Sequence, residues 1–434
     1  MQKSTNRSVF SFVLSLFAGI SLLPMGLQAQ SGGQLSLEEA YRLARENYPL
    51  IRQKELVGKT AGLTIDNLQK GFLPQVSVLG QASYQSDVTE IKIPFPGFTV
   101  EPLSKDQYKL VTDVTQMIYD GGITREQKNL QQLNASVEQQ KLEVDLYKLN
   151  ERISQVFLGV LFLEEQLKQV ELVKADINNG IKKVEAQVNN GVAFRSGVTL
   201  LQAELLKTEQ RVIEINASRT GLLQTLSLFI NQTLPADIRL LAPVVLPLDI
   251  LATSIARPEI QFFSTQDKFL NGQSKLVDAK ILPRASVFLQ SGYGRPGLNF
   301  LKNDFAFYYI GGVRLNWSLG GLYTQKKDKE LLQVNRRMVD IQKETFLLNT
   351  RTAMVQQQAE VDKLQQLIAS DNAIIELRVK VKEAAKSQLD NGVITANDYL
   401  REVTAEDLAR QALISHQLQL LQAQINLKNI SGNQ

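Results

Sequence analysis

The chain has 434 residues, 44% of them apolar and 21% charged, which excludes disorder and leaves room for two or three ordinary domains. Its 48 basic and 44 acidic residues give a net charge of +4, too small for a nucleic-acid footprint. With no cysteine there are no disulfides, thiolate metal sites, cysteine nucleophiles or cysteine-linked lipid anchors, and the single histidine, His416, has no partners for metal or acid–base work. Neither an enzyme nor a cofactor is expected.

Residues 1–29 read as a signal peptide: a basic start with Lys3 and Arg7, an apolar core from Val9 to Leu23, and Leu27-Gln28-Ala29 before the cut. Removing them leaves a charge of +2. A membrane anchor is the alternative, but the run is shorter than the roughly 20 residues a spanning helix needs. Later, 240–252 is interrupted by Pro243, Pro247 and Asp249. An exported chain without a spanning helix is either soluble or a β-type membrane protein.

Beyond residue 29 the same pattern is written twice. A first repeat spans 30–230, a linker 231–253 and a second repeat 254–434. Pro49 and Pro74 map onto Pro258 and Pro283 with the same shift of 209, Gly122 onto Gly321 with 199, and Gly191 onto Gly392 with 201. Each copy reads as helix, strand, loop, strand and two long helices. Ser36 with Glu39 predicts a capping box at the first helix. After Pro74, Val76, Val78, Ala82 and Tyr84 alternate with Ser77, Gln81, Ser83 and Gln85, a period of two with one polar face. Strands are expected at about 74–86 and 107–119, then at about 283–294 and 304–319. In the last, Phe307, Tyr309, Val313, Leu315 and Trp317 share one face, and Tyr308, Arg314, Asn316 and Ser318 the other. The loops 86–107 and 294–304 differ in length, as exposed loops do.

Past Gly121-Gly122 and Gly320-Gly321 the period changes. Leu142, Leu146, Leu149, Ile153, Val156, Val160, Leu163, Leu167 and Val170 are spaced by fours and threes, the seam of a coiled coil within a helix from 123 to 187. In the second copy Leu331, Val334, Met338, Ile341, Leu348 and Val355 make a looser stripe. Asn190-Gly191 and Asn391-Gly392 end the long helices with left-handed glycine caps, and the chain returns in helices 196–230 and 397–429. Four strands with an apolar face cannot close a barrel, which takes about eight, so several chains must share one.

In this order and doubled, "LSLEEAYRLARENYPLIR", "FLPQVSV" with "ILPRASV", "IYDGG", "RPEI", "NNGV" and "DNGV" resemble the TolC family of outer-membrane efflux and secretion channels. The resemblance covers essentially the whole chain after residue 29. It implies a mainly α fold with a small transmembrane β part: a two-fold internal repeat of coiled-coil hairpins forming an α-barrel, and four strands per chain in a trimeric twelve-stranded β-barrel. It also implies the outer membrane of a Gram-negative bacterium with a large periplasmic extension, a homotrimer in contact with outer-membrane lipid, a periplasmic adaptor, an inner-membrane pump, and a gate at the helix tips.

The resemblance places an acidic gate residue at Asp398, just past the tip glycine. The sequence departs from the strongest form of that pattern, with Arg401 and Glu402 one turn on and Gly197 at the matching place in the first copy. A helix N-terminal aspartate that needs no pore is the other reading. Gly191, Val192, Gly392 and Val393 are either adaptor-docking tips or caps alone, and Gly121, Gly122, Gly320 and Gly321 serve the strand-to-helix turns. Trp317, Tyr309 and Tyr308 fit an aromatic girdle or a sandwich core, and Lys326, Lys327 and Lys329 a solvated helix face. The expected function is a passive export conduit of a multicomponent efflux or type I secretion system. A periplasmic coiled-coil adaptor or scaffold is the alternative.

Overall fold

The computed structural model describes residues 33–90, 102–244 and 254–433. The expected signal peptide 1–29, part of the first strand loop and part of the linker lie outside the described residues. In chain order the elements are β1 (Gln34–Leu35), α1 (Leu37–Asn47), a 3-10 turn (Pro49–Ile51), α2 (Arg52–Lys70), β2 (Gln75–Tyr84), β3 (Asp106–Tyr119), α3 (Ile123–Tyr147), α4 (Leu149–Asn189) and α5 (Arg195–Ile230). Then come β4 (Arg239–Leu240), α6 (Pro258–Lys280), β5 (Arg284–Arg295), β6 (Ala306–Asn316), α7 (Gly321–Asp390) and α8 (Ala396–Ser431). Helix, two strands and a long helical hairpin thus occur twice.

Ser36 caps α1 by accepting from the Glu39 N–H at 3.2 Å, but the expected capping box is only half formed. The Glu39 carboxylate turns instead to the Arg42 guanidinium, which meets both of its oxygens at 2.9 and 2.6 Å. A two-pronged ion pair outcompetes one bond to a backbone N–H.

The seam from Leu142 to Val170 packs as its spacing predicts, with Leu142, Leu146, Leu149, Ile153, Val160 and Val170 buried. The expected continuous helix is divided at Lys148, which keeps helical angles (φ −62°, ψ −19°) while its N–H reaches Val144 O only at 3.4 Å. There Tyr147 donates its hydroxyl to Asn429 O at 2.6 Å, tying the loosened turn to α8. In the second copy α7 is unbroken over 70 residues, about 105 Å at 1.5 Å per residue. Its expected stripe behaves differently: Leu331, Val334, Met338, Ile341, Leu348 and Val355 are all exposed, whereas Val339, Met354, Val361 and Leu364 are buried. The stripe is real, but no described residue of this chain covers it.

Beneath the sheet the helices lie side by side in the order α2, α3, α6, α7; toward the far end the order is α5, α4, α8, α7. Two large apolar cores hold this layer, with a small third of Val361, Leu364 and Ala423 between α7 and α8. Of the large two, one gathers Ile153, Phe157, Leu226, Ile230 and Ile425 around α1; the other gathers Ile177, Leu201, Leu389 and Tyr399 near the hairpin ends. The four-stranded sheet is antiparallel throughout, in the order β2-β3-β5-β6, so β2 and β6 are its open edges. The short β1 and β4 pair in parallel elsewhere.

The two glycine pairs at the strand-to-helix turns are not equivalent. Gly121 and Gly122 are left-handed (φ 74° and 82°), and a Cβ on Gly121 would lie 2.9 Å from Leu282 Cβ and 3.1 Å from Ala279 O. Asp120 closes this turn by accepting from the N–H groups of Gly122 (2.8 Å) and Thr124 (2.7 Å). Gly320 is right-handed (φ −59°) with open space around it, so the second turn uses glycine without needing its freedom. Gly121→Ala should cost on the order of 1–3 kcal/mol of stability, and Gly320→Ala close to nothing, as read from thermal unfolding of the two variants.

Candidate functional site

Three regions carry chemistry: the sheet faces, the hairpin ends, and the layer just above those ends. In the sheet, cross-strand partners fall on a common face. Val76, Val78 and Tyr84 of β2 share it with Val114, Leu110 and Tyr108 of β3, then Val287, Leu289 and Tyr293 of β5, and Phe307, Tyr309, Val313 and Leu315 of β6. Most of these side chains are exposed, Val313 to 74% and Tyr309 to 71%. Among the described residues no second sheet packs on them, which removes the sandwich-core reading. The opposite face carries Gln75, Ser77, Gln81, Lys109, Asp113, Gln290 and Arg314.

Aromatic rings mark both ends of the apolar face. At the loop end Phe305 stacks on Tyr293 (centroids 5.7 Å apart) and Tyr108 (6.3 Å), beside Tyr84, Phe307 and Tyr309. At the helix end lie the exposed Tyr119, Trp317 and Tyr323, with Trp317 donating from Nε1 to Ile281 O at 2.9 Å. Tyr308 is on the polar face, its ring across Gly292, and takes no part in either band. An apolar band with aromatic borders is what a bilayer selects on a barrel exterior. No helix among the described residues is long and apolar enough to cross a membrane.

At the hairpin ends the predicted tip residues form two matching caps. The Val192 N–H donates to Gln187 O (2.9 Å) and the Gly191 N–H to Val188 O (3.0 Å); in the second copy Val393 reaches Gln388 O (2.8 Å) and Gly392 reaches Leu389 O (3.0 Å). Both glycines are left-handed (φ 73° and 71°), the Schellman closure that glycine permits. Gln187 joins the tips by donating to Leu389 O at 2.5 Å. Between them opens a groove of about 600 Å³ lined by Val192, Phe194, Leu200, Val393 and Ile394 among others.

Asp398 sits in a complete capping box on α8. Its carboxylate accepts from the Thr395 N–H (3.1 Å) and hydroxyl (2.7 Å), and its own N–H donates to Thr395 Oγ1 (3.3 Å). Those bonds from Thr395 hold the Asp398 carboxyl below the usual range. The side chain is therefore ionised and fixed, and the helix start alone accounts for it.

More than two turns above the tips lies a polar layer that sequence periodicity does not reveal. Lys382 of α7 bridges Asp176 of α4 (2.7 Å) and Glu406 of α8 (2.5 Å), and Arg410 holds Glu406 from the other side (2.7 Å). Asp407 accepts from Arg211 of α5 (3.0 Å) and Gln169 of α4 (3.1 Å). Burial alone would raise the Glu406 carboxyl, but Lys382 and Arg410 outweigh it and hold it low. Burial likewise opposes the charge on Lys382, yet Asp176 and Glu406 lift it above the ordinary lysine value. Burial pushes the Tyr399 phenol up to about 12. With the shift of 201, Lys382 stands where the first copy has Ile181, and Glu406 where it has Leu205, a contrast legible in the sequence. His416 also has a partner, Asp371 at 2.6 Å, between α7 and α8. Among the described residues no cluster suited to a metal ion occurs.

Known proteins share this fold. In fold, the chain is similar to the outer membrane protein VceC of Vibrio cholerae (TM-score 0.65, 14% identity, covering 91% of this chain and 96% of that one). It is also similar to the CmeC outer membrane channel of Campylobacter jejuni (0.62, 13%, 91% and 85%). The open state of the MtrE outer membrane channel of Neisseria gonorrhoeae is a third (0.61, 15%, 91% and 88%). No curated protein matches the chain in sequence. Residues 40–232 match the profile of the family described as outer membrane efflux protein. With the doubled strand pairs and the paired hairpin tips, the chain has the fold of these outer-membrane channels, and its first repeat carries the profile of the outer membrane efflux proteins.

Proposed function

We propose that three copies close one twelve-stranded barrel in the outer membrane and continue it as a helical tube, a passive conduit serving a multicomponent efflux or type I secretion system. The observation that carries this reading is the apolar sheet face left bare in a sheet with two open edges. Lipid offers no partner for the backbone groups of β2 and β6, so β6 of one copy must meet β2 of the next. The exposed stripe from Leu331 to Val355 supports the same assembly, since side-by-side copies would cover it. A division into 30–230, 231–253 and 254–434 fits a conduit built from two half-units. The periplasmic scaffold reading leaves both the bare sheet face and the aromatic bands without a purpose. Native mass of the protein extracted by detergent from purified outer membranes tests the proposal: a trimer in that fraction supports it, and a soluble periplasmic monomer sinks it.

At the far end, the tips at Gly191, Val192, Gly392 and Val393 are our candidates for docking a periplasmic adaptor that links the conduit to an inner-membrane pump. Asp398 is the candidate for the charged ring at the gate, supported by its ionised state beside a tip. Asp398→Asn keeps an oxygen for the Thr395 bonds and removes the charge. Single-channel recordings should then show weaker block by divalent cations with thermal stability nearly unchanged. An unaltered block would leave Asp398 as a cap only.

A further inference from the structure

The two hairpin tips should be interchangeable if each merely closed a helix, and they are not. Thr395, the N-cap of α8, becomes Phe194 at the start of α5, and Asp398 becomes Gly197, so the first copy lacks both halves of the capping box. The next residue, Arg195, puts a cation at the positive end of the α5 dipole with no acidic residue in the first turn. Among the described residues no carboxylate pairs with it. Phe194 is 86% exposed at the rim of the groove between the tips. A missing cap and a bare aromatic ring at Phe194, with a misplaced cation at Arg195, break local rules together, as happens where a surface is built for a partner.

We infer that Phe194 and Arg195 form an aromatic and basic anchor that plugs an apolar socket rimmed by carboxylates on a periplasmic partner protein, and that the first tip, not the second, sets the choice of partner. This rests on the channel reading and names the chemistry of its docking surface. The charge of Arg195 selects the acidic rim, and the ring selects the socket. A second copy of the chain is a poorer occupant. Copies around one axis lie side by side at equal height, and Phe194 sits beyond the last turn of α4, where a neighbour's helices have also ended.

The test places photo-reactive benzoyl-phenylalanine at position 194 in cells making the full chain and identifies the cross-linked peptides. The expected product joins position 194 to a periplasmic protein next to an Asp or Glu, with a yield at least about tenfold lower in Arg195→Glu. Cross-links to a second copy of the chain, or a yield indifferent to Arg195→Glu, overturn the inference. Phe194→Thr is the companion, because a threonine can cap α5 as Thr395 caps α8. Its outer-membrane oligomer should be at least as heat-resistant as the parent while export from cells falls to the level of a strain lacking the protein. Parental export by Phe194→Thr overturns the anchor. A parent protein recovered as a soluble monomer overturns the channel reading instead, so the two failures are told apart.

Discussion

Val313→Arg should abolish assembly in the outer membrane. Val313 lies mid-strand on the apolar face of β6, between Leu315 and Tyr309, and an arginine at mid-depth of a bilayer costs about 2–4 kcal/mol in each copy. The chain supplies its own control. The adjacent Arg314 already carries a guanidinium on the other face, stacked 4.7 Å over the Phe288 ring. Ile310→Arg, on that same polar face, should therefore be tolerated. Quantifying the detergent-extracted oligomer in purified outer membranes decides: equal recovery of Val313→Arg and the parent would mean the face does not meet lipid.

Lys382→Met should loosen the hairpin ends. It leaves Asp176 without its cation and Glu406 with Arg410 alone at the junction of α4, α7 and α8. Breaking such a pair costs about 2–4 kcal/mol, below the range for full burial because the Lys382 side chain keeps 18% exposure. Hydrogen exchange of the amides around Lys382 and Glu406 should quicken by ~30-fold or more. Adding Glu406→Gln and Asp176→Asn should restore part of the protection, and no recovery would argue for a steric cause. The pH dependence has a definite sign. The Glu406 carboxyl is held low, so its contribution is complete above the unfolded carboxylate range and is lost as pH falls through the folded value. Lys382 is held high, so its contribution is complete below the unfolded lysine value and is lost as pH rises through the folded one. The tie is thus whole from about pH 5 to about pH 10.

Periodicity is the reliable guide along this chain. The strands are legible because each separates two unlike surroundings, so Val76 and Val78 alternate with Ser77 and the pattern survives without knowing what the apolar side touches. The first helical seam is legible for the same reason. The second stripe is legible as a stripe, but whether Leu331 to Val355 face a helix of the same chain or another copy is decided by topology, which spacing does not contain. The polar layer escapes because its members are far apart, Asp176 and Lys382 by 206 residues, and because a search for seams looks for apolar positions. The capping box is expected at Ser36 and found whole at Thr395, since Arg42 takes the Glu39 carboxylate in the first case, while among the described residues the Asp398 carboxylate stays bonded to Thr395 in the second.

The open edges of the sheet have a genetic consequence. A ring closed by β6 of one copy on β2 of the next uses every subunit twice, once as template and once as closure. A subunit whose β6 edge is blocked, for instance by proline in place of Tyr309, can still offer β2 to a sound neighbour and so enters rings that never seal. Co-expressed with the parent, such an allele should act as a poison, lowering functional rings more steeply than its share of the subunits, whereas an allele blocked at both edges should be silent.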